Sequence, residues 1–143
     1  MMRARHPVGA TLIVAALAVT ACGGSSGGEG GGDPATVRPI KGTDLNQVTL
    51  TAQAARRLGI ETAEVRQLGA RTAVPYGAVI YNADGSTFTY TSPKPRVYVR
   101  APITVVRIDD DTAVLSSGPP VGTEVVTVGS QELYGSEYEV EED

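Results

Sequence analysis

The chain has 143 residues, with 12 lysines and arginines against 16 aspartates and glutamates, for a net charge of −4. Past Cys22 the arginines are scattered as Arg38, Arg56, Arg57, Arg66, Arg71, Arg96, Arg100 and Arg107, with no basic stripe interleaved with aromatics, which argues against nucleic acid as a partner. One cysteine, Cys22, and one histidine, His6, exclude a disulfide framework and the usual zinc ligand sets.

At the amino terminus, Arg3 and Arg5 give Met1 to His6 a positive charge, and Val8 to Ala21 follow with no formal charge. This apolar run has the length of the hydrophobic region of a signal peptide and falls short of the ~20 residues that a spanning helix needs. Gly23-Gly24-Ser25-Ser26-Gly27-Gly28 would break any continued helix. Val19-Thr20-Ala21-Cys22 resembles the lipobox of bacterial lipoprotein precursors. The resemblance implies that residues 1–21 are a lipoprotein signal peptide cut off in front of Cys22, whose thiol carries a diacylglyceryl group with palmitate-class chains. Acyl burial contributes roughly 0.8 kcal/mol per methylene and one chain binds only marginally, so two or more chains on Cys22 would hold the protein on the extracytoplasmic face of the cell membrane.

Cleavage would remove Arg3, Arg5 and His6, leaving ten basic against 16 acidic residues. On net charge, an anionic lipid surface is not expected to attract so acidic a chain, and the lipid alone must anchor it. Lipidation consumes the only thiol, and with the histidine gone, Ser-His and Cys-His nucleophiles are excluded.

Residues 22–45 are expected to be the lipidated cysteine and a flexible linker. Gly23 to Pro34 are dominated by Gly and Ser, cannot bury enough apolar surface to offset their chain entropy, and reach roughly 20 Å. The run is no phosphate cradle, because no strand precedes it and no helix follows it. Residues 46–138 remain for one small domain, and residues 139–143 form an acidic tail, with fraying expected from Glu137 onward. Past Cys22 there are 15 Val, 5 Ile and 13 Thr against 6 Leu, a composition suited to pleated surfaces. The expected fold is mainly β, a small barrel or roll with one short helix.

That helix is expected within Leu50 to Gly59, with Thr51 as its cap, Arg56 and Arg57 in its last turn and Gly59 as a left-handed stop; Leu50, Ala55 and Leu58 would pack on a sheet. Strands are expected at Ile60 to Arg66 and Arg71 to Pro75. A hairpin is expected from Gly77 to Asn82 into Thr87 to Thr91, turning at Asp84-Gly85. Arg96 to Arg100 and Ile103 to Ile108 read as strands broken by Pro102, followed by a turn at Asp109-Asp110-Asp111 into Thr112 to Leu115. The last strand is Glu124 to Val128. The three aspartates lack the spacing of a calcium loop and read as a solvated turn.

Glu61, Glu64, Asp84 and Glu124 could in principle form a carboxylate pair, but their places in alternating strands and turns suit solvent. No catalytic, cofactor or metal residue is assigned, and a non-enzymatic protein is expected. From Val48 onward, the order of motifs is similar to the membrane-proximal part of periplasmic adaptor proteins (membrane fusion proteins) of efflux pumps. The matching segments are Val48-Thr49-Leu50-Thr51, Leu58-Gly59-Ile60-Glu61-Thr62-Ala63-Glu64-Val65, Val74-Pro75-Tyr76-Gly77-Ala78-Val79 with Ala83-Asp84-Gly85, and Ser117-Gly118-Pro119-Pro120-Val121-Gly122 through Gly129. Full adaptors carry a lipoyl-like domain and usually a helical hairpin between the two halves, whereas only Arg66 to Ala73 stand here. The resemblance implies a condensed domain, docking as an accessory on a transporter permease. The alternative is a stand-alone ligand-binding or envelope-structural lipoprotein, since fold alone does not select function.

Overall fold

The computed structural model describes residues 32–139. Cys22, the expected signal peptide and most of the glycine run therefore lie outside the described residues, as do residues 140–143. Ten strands, two helices and one 3-10 turn follow in the order β1 (Ala35–Pro39), β2 (Asn46–Leu50), α1 (Ala52–Arg57), β3 (Glu61–Glu64), β4 (Arg66–Leu68), β5 (Arg71–Pro75), the 3-10 turn (Tyr76–Ala78), β6 (Ile80–Tyr81), β7 (Thr87–Lys94), β8 (Val97–Asp109), β9 (Thr112–Ser117), β10 (Glu124–Val128) and α2 (Ser130–Glu139). The fold is mainly β, as composition requires. The sheet curls into a half-barrel with strand order β3-β10-β7-β8-β9-β5-β4, β6 on β7, and β1 and β2 added at the start of β8.

Two apolar clusters fill the curl, and β10 divides them. Val125 and Val126 are both fully buried; as neighbours on a strand they face opposite sides, Val125 toward Val65, Val74, Ile103 and Leu115, Val126 toward Val48, Ile80, Tyr90 and Leu133. A strand buried on both faces needs consecutive apolar residues, and this one has them. The ten described strands pair with one another and enclose both clusters, so residues 32–139 contain their own core.

The α1 cap forms as expected, Ala54 N donating to Thr51 Oγ1 at 3.1 Å, and Gly59 takes a φ of 62° after the helix. Leu50 is buried, and Ala55 and Leu58 pack on the first cluster. β5 and β10 span the expected residues.

Five expectations are corrected. Residues 35–39, placed in the linker, form β1, which pairs antiparallel with β2 and sets Ala35 against Leu50 and Val37 against Val48. Two inward residues among Thr, Arg and Pro are a faint alternation, completed only by the apolar face of β2. The Ile60 to Arg66 strand is two strands: at the buried Val65 the chain leaves β10 and pairs as β4 with β5. In the Tyr81–Thr87 hairpin, Asn82-Ala83-Asp84-Gly85 closes through Gly85 N on Asn82 O at 3.0 Å. Only Gly85 has positive φ, which is a three-residue loop with a glycine bulge, and Gly77 and Ala78, expected as strand, lie in the 3-10 turn Tyr76–Ala78. Pro102 does not break β8. Opposite Phe88, it stands where the strand passes from β7 to β9, with register shifts at Thr104 to Arg107.

The fifth correction is α2. Glu137 and Tyr138, placed at the start of a frayed tail, lie on a ten-residue helix that buries Leu133 and Glu137. Gly135 in mid-helix and the scarcity of apolar residues hide it from helical patterning.

Candidate functional site

The most concentrated chemistry lies under α2. β7 presents Phe88 and Tyr90 to the first cluster, and β8, pairing Arg100 with Tyr90, sets the guanidinium beside them. Glu137 comes down from α2, one turn beyond Leu133. Its Oε2 accepts from Arg100 Nε at 2.7 Å and from the Tyr90 hydroxyl. Glu137 is 1 % exposed and the Arg100 side chain 17 %. The guanidinium carbon lies 5.1 Å from the Phe88 ring centre, 5.2 Å from Tyr134 and 5.0 Å from Tyr138, in cation–π range of three rings.

Burial pushes the Tyr90 phenol far up, and the negative Glu137 beside it adds to that rise. For Arg100, burial opposes the charge, but the hydrogen bonds to Glu137 and Tyr138 and the Glu137 charge outweigh it and raise the group. Tyr134 is raised by its hydrogen bond with Tyr138, then by burial. Arg100 and Tyr90 donate and Glu137 accepts both bonds: the trio is an ionic latch pinning α2 to the sheet.

A second arrangement sits where the chain enters the domain. Thr51 N bonds to Pro34 O at 3.0 Å and Leu50 N to Arg96 O at 2.9 Å, bringing the start of β1, the start of α1 and the β7–β8 turn together. Two open clefts, each of about 430 Å³, share Ile60, Arg96 and Tyr98. The first adds Arg56 and Glu61, the second Lys94 and Glu124. Burial raises the Tyr98 phenol, and the positive charge of Arg96 partly opposes that rise.

Of the four carboxylates singled out in the sequence, Glu64 and Glu124 come together as cross-strand neighbours. Glu61, Glu64 and Asp84 are exposed and Glu124 is half-buried; Glu64 and Glu124 are register partners on β3 and β10, and Asp84 lies in the β6–β7 turn. There Asp84 accepts from Ser86 Oγ and Ser86 N, which holds its carboxyl below the usual range. Asp109, Asp110 and Asp111 are exposed, Asp109 pairs with Arg107 at 2.7 Å, and among the described residues no group of three or more His, Cys, Asp or Glu could hold a metal ion. The Arg100–Glu137 pair escaped the sequence reading, and so did Arg96. The signal for the pair was the spacing of Leu133 and Tyr134 from Glu137 and Tyr138; for Arg96 it was Pro95 before it.

The chain matches no protein-family model, no curated protein and no solved structure. Among the described residues no helix is long and apolar enough to cross a membrane.

Proposed function

We propose that the protein is a lipid-anchored extracytoplasmic docking domain, held at the membrane through Cys22 and acting as a non-enzymatic accessory of a membrane transporter. The anchor rests on the charged start, the short apolar run and Val19-Thr20-Ala21-Cys22. The observation that carries the docking reading is how the two adaptor-like halves are joined. Leu68 and Arg71 pair across a tight β4–β5 turn at Gly69-Ala70, so a two-residue turn stands where a full adaptor has its lipoyl-like and helical parts. The sheet curls into its half-barrel without them, in keeping with a condensed membrane-proximal domain.

The two clefts that share Arg96 are open grooves, each with three charged side chains in its lining, whereas a small apolar ligand needs an enclosed pocket. A tether raises the effective concentration of the domain near any partner in the same bilayer, so a weak docking face suffices.

Membrane fractionation and crosslinking of wild type beside Cys22→Ser test this. The wild type is expected in the membrane fraction with a transport protein crosslinked to it, and Cys22→Ser in the soluble fraction without one. Membrane retention of Cys22→Ser equal to wild type would remove the anchor. An anchored wild type that captures no transport protein would remove the accessory role.

A further inference from the structure

The second half of β8 has a bare edge. β7 pairs with β8 no further than Thr87 opposite Ile103, β2 covers only Val97 to Val99, and among the described residues Thr104 to Asp109 pair with β9 alone. An open groove of about 670 Å³ runs along this stretch, lined by Val106, Ile108, Tyr81 and the Gly85–Thr87 side of the β6–β7 turn. Sheets blunt such an edge with lysine, proline or a bulge. Here the register shifts at Thr104 to Arg107 bend the first part of the edge, whereas Arg107, Ile108 and Asp109 pair in regular register and include neither lysine nor proline.

Exposed apolar surface gathers at the same place. Tyr76, Tyr81, Val106 and Ile108 are 42–51 % exposed and make up half of the large apolar side chains exposed among the described residues. Tyr81 lines the groove with Ile108 and hydrogen-bonds Tyr76, and Tyr76 N donates to Asp111 O at 2.7 Å, which centres the patch on Ile108. A gathered patch of this kind marks a contact surface. Net charge does not select its occupant, since Arg107 and Arg66 stand beside Asp109, Asp110 and Asp111, and Asp84 is held by Ser86 in the neighbouring turn. The order of the charges does. About a two-fold axis, antiparallel edges set positions equally far from the axis opposite each other, so a strand complements its own copy when an apolar residue has opposite charges on its two sides. Arg107-Ile108-Asp109 meets that condition with both charged side chains 55 % exposed, and the next positions out, Val106 and Asp110, bring no like charges together.

We propose that two copies of the chain meet at this edge, with Ile108 against Ile108 of the second copy and Arg107 of each opposite Asp109 of the other. The Arg107–Asp109 bond within each chain is exchanged for the same bond between chains, so no charge loses its counter-charge. Tyr76 and Tyr81 of both copies flank the aliphatic centre and the charges form the rim, which is the usual layering of a protein contact. A three-residue edge and this patch bury less than the roughly 1,200 Å² of a stable dimer, so the association is weak and reversible. The contact goes beyond the docking role and does not depend on the Cys22 anchor.

The test uses the chain from residue 22 onward with Cys22→Ser, which retains the whole core and has no thiol. Ile108→Cys then puts the sole thiol of each copy at the axis, and Leu68→Cys, an exposed apolar position on β4, measures random encounter. With oxidised glutathione as oxidant, disulfide-linked dimer is expected to form about tenfold faster from Ile108→Cys than from Leu68→Cys. Adding Arg107→Glu or Asp109→Lys to Ile108→Cys should each slow it about tenfold, and an equal mixture of those two chains should regain the rate, because the mixed pair again has opposite charges facing on both sides of the axis. Asp109→Lys makes the acidic chain less negative, so general repulsion alone would give faster coupling instead. Unchanged thermal midpoints in the charge variants separate a lost contact from a lost fold, since an exposed ion pair contributes little to stability. Equal rates from Ile108→Cys and Leu68→Cys, faster coupling in Asp109→Lys, or a mixture no faster than its components would overturn the proposal.

Discussion

Arg100 and Glu137, 37 positions apart, meet through a 2.7 Å contact between Nε and Oε2 and fix the last helix to the middle of the sheet. A buried ion pair is a poor source of net stability, since desolvation of both charges offsets their attraction. Its effect is selective: α2 has one fully buried apolar side chain, Leu133, and could slide on an apolar floor, whereas a charge that must find Arg100 and Tyr90 fixes its register.

Removing one partner is therefore far worse than removing both. Glu137→Ala is expected to cost about 3–5 kcal/mol, because it leaves the guanidinium buried without a counter-charge. Glu137→Leu combined with Arg100→Met is expected to recover most of that loss. Equilibrium urea unfolding of the three chains measures the difference, and a double variant no better than Glu137→Ala would contradict the latch.

Tyr90 sets an alkaline limit. Its folded value is raised above that of the unfolded chain, so its contribution is fully present below pH about 10 and declines as pH rises from there toward the folded value. The unfolded state releases the proton first, giving a loss of about 1.4 kcal/mol per pH unit from this group. Tyr98 is raised by burial and adds in the same direction. In Tyr90→Phe the slope of stability between pH 9.5 and 11.5, roughly the range in which a free tyrosine titrates, is expected to shrink by about one proton's worth. An unchanged slope would place the titration elsewhere.

Thr89 lies between Phe88 and Tyr90 in sequence but on the other face of β7. It is fully buried, and its Oγ1 has no hydrogen-bond partner among the described residues. A buried hydroxyl without a partner costs about 1–3 kcal/mol. Thr89→Val keeps the shape and the strand preference and is expected to raise stability by about 1 kcal/mol, seen as a higher urea midpoint with unchanged m-value. A fall would mean that the hydroxyl is satisfied in solution.

Wherever local chemistry decided the structure, the sequence was legible. Thr51 and Gly59 bounded α1 because capping is a matter of single residues, and β10 was visible because Val125-Val126 is apolar on both faces. The parts that stayed hidden depend on contacts distant in sequence. β1 needs β2 to supply its apolar floor, β8 crosses Pro102 because β7 and β9 each hold one half, and α2 exists through Leu133 and a glutamate that reads as solvated until Arg100 is placed under it. The cleft under α1 was concealed for the same reason: Arg56 and Arg96 are forty positions apart in the chain and line it together.

Two glycine substitutions separate space from backbone conformation. At Gly77 a Cβ would stand 2.6 Å from Thr127 O, so the 3-10 turn could hold alanine only by moving away from β10 and from the first residue of α2, whose Ser130 Oγ donates to Gly77 O at 3.1 Å. Gly77→Ala is expected to cost about 1–3 kcal/mol through overpacking. At Gly85 the space is open and only the φ of 85° resists a side chain, so Gly85→Ala is expected to cost about 1–2 kcal/mol. Asparagine tolerates the left-handed region, so Gly85→Asn should recover part of the loss. Gly77→Asn, which meets the same carbonyl with a larger group, should lose more than Gly77→Ala. Thermal and urea unfolding of the four variants give the ranking, and an asparagine that helps at Gly77 or fails to help at Gly85 would reverse the assignment of cause at that site.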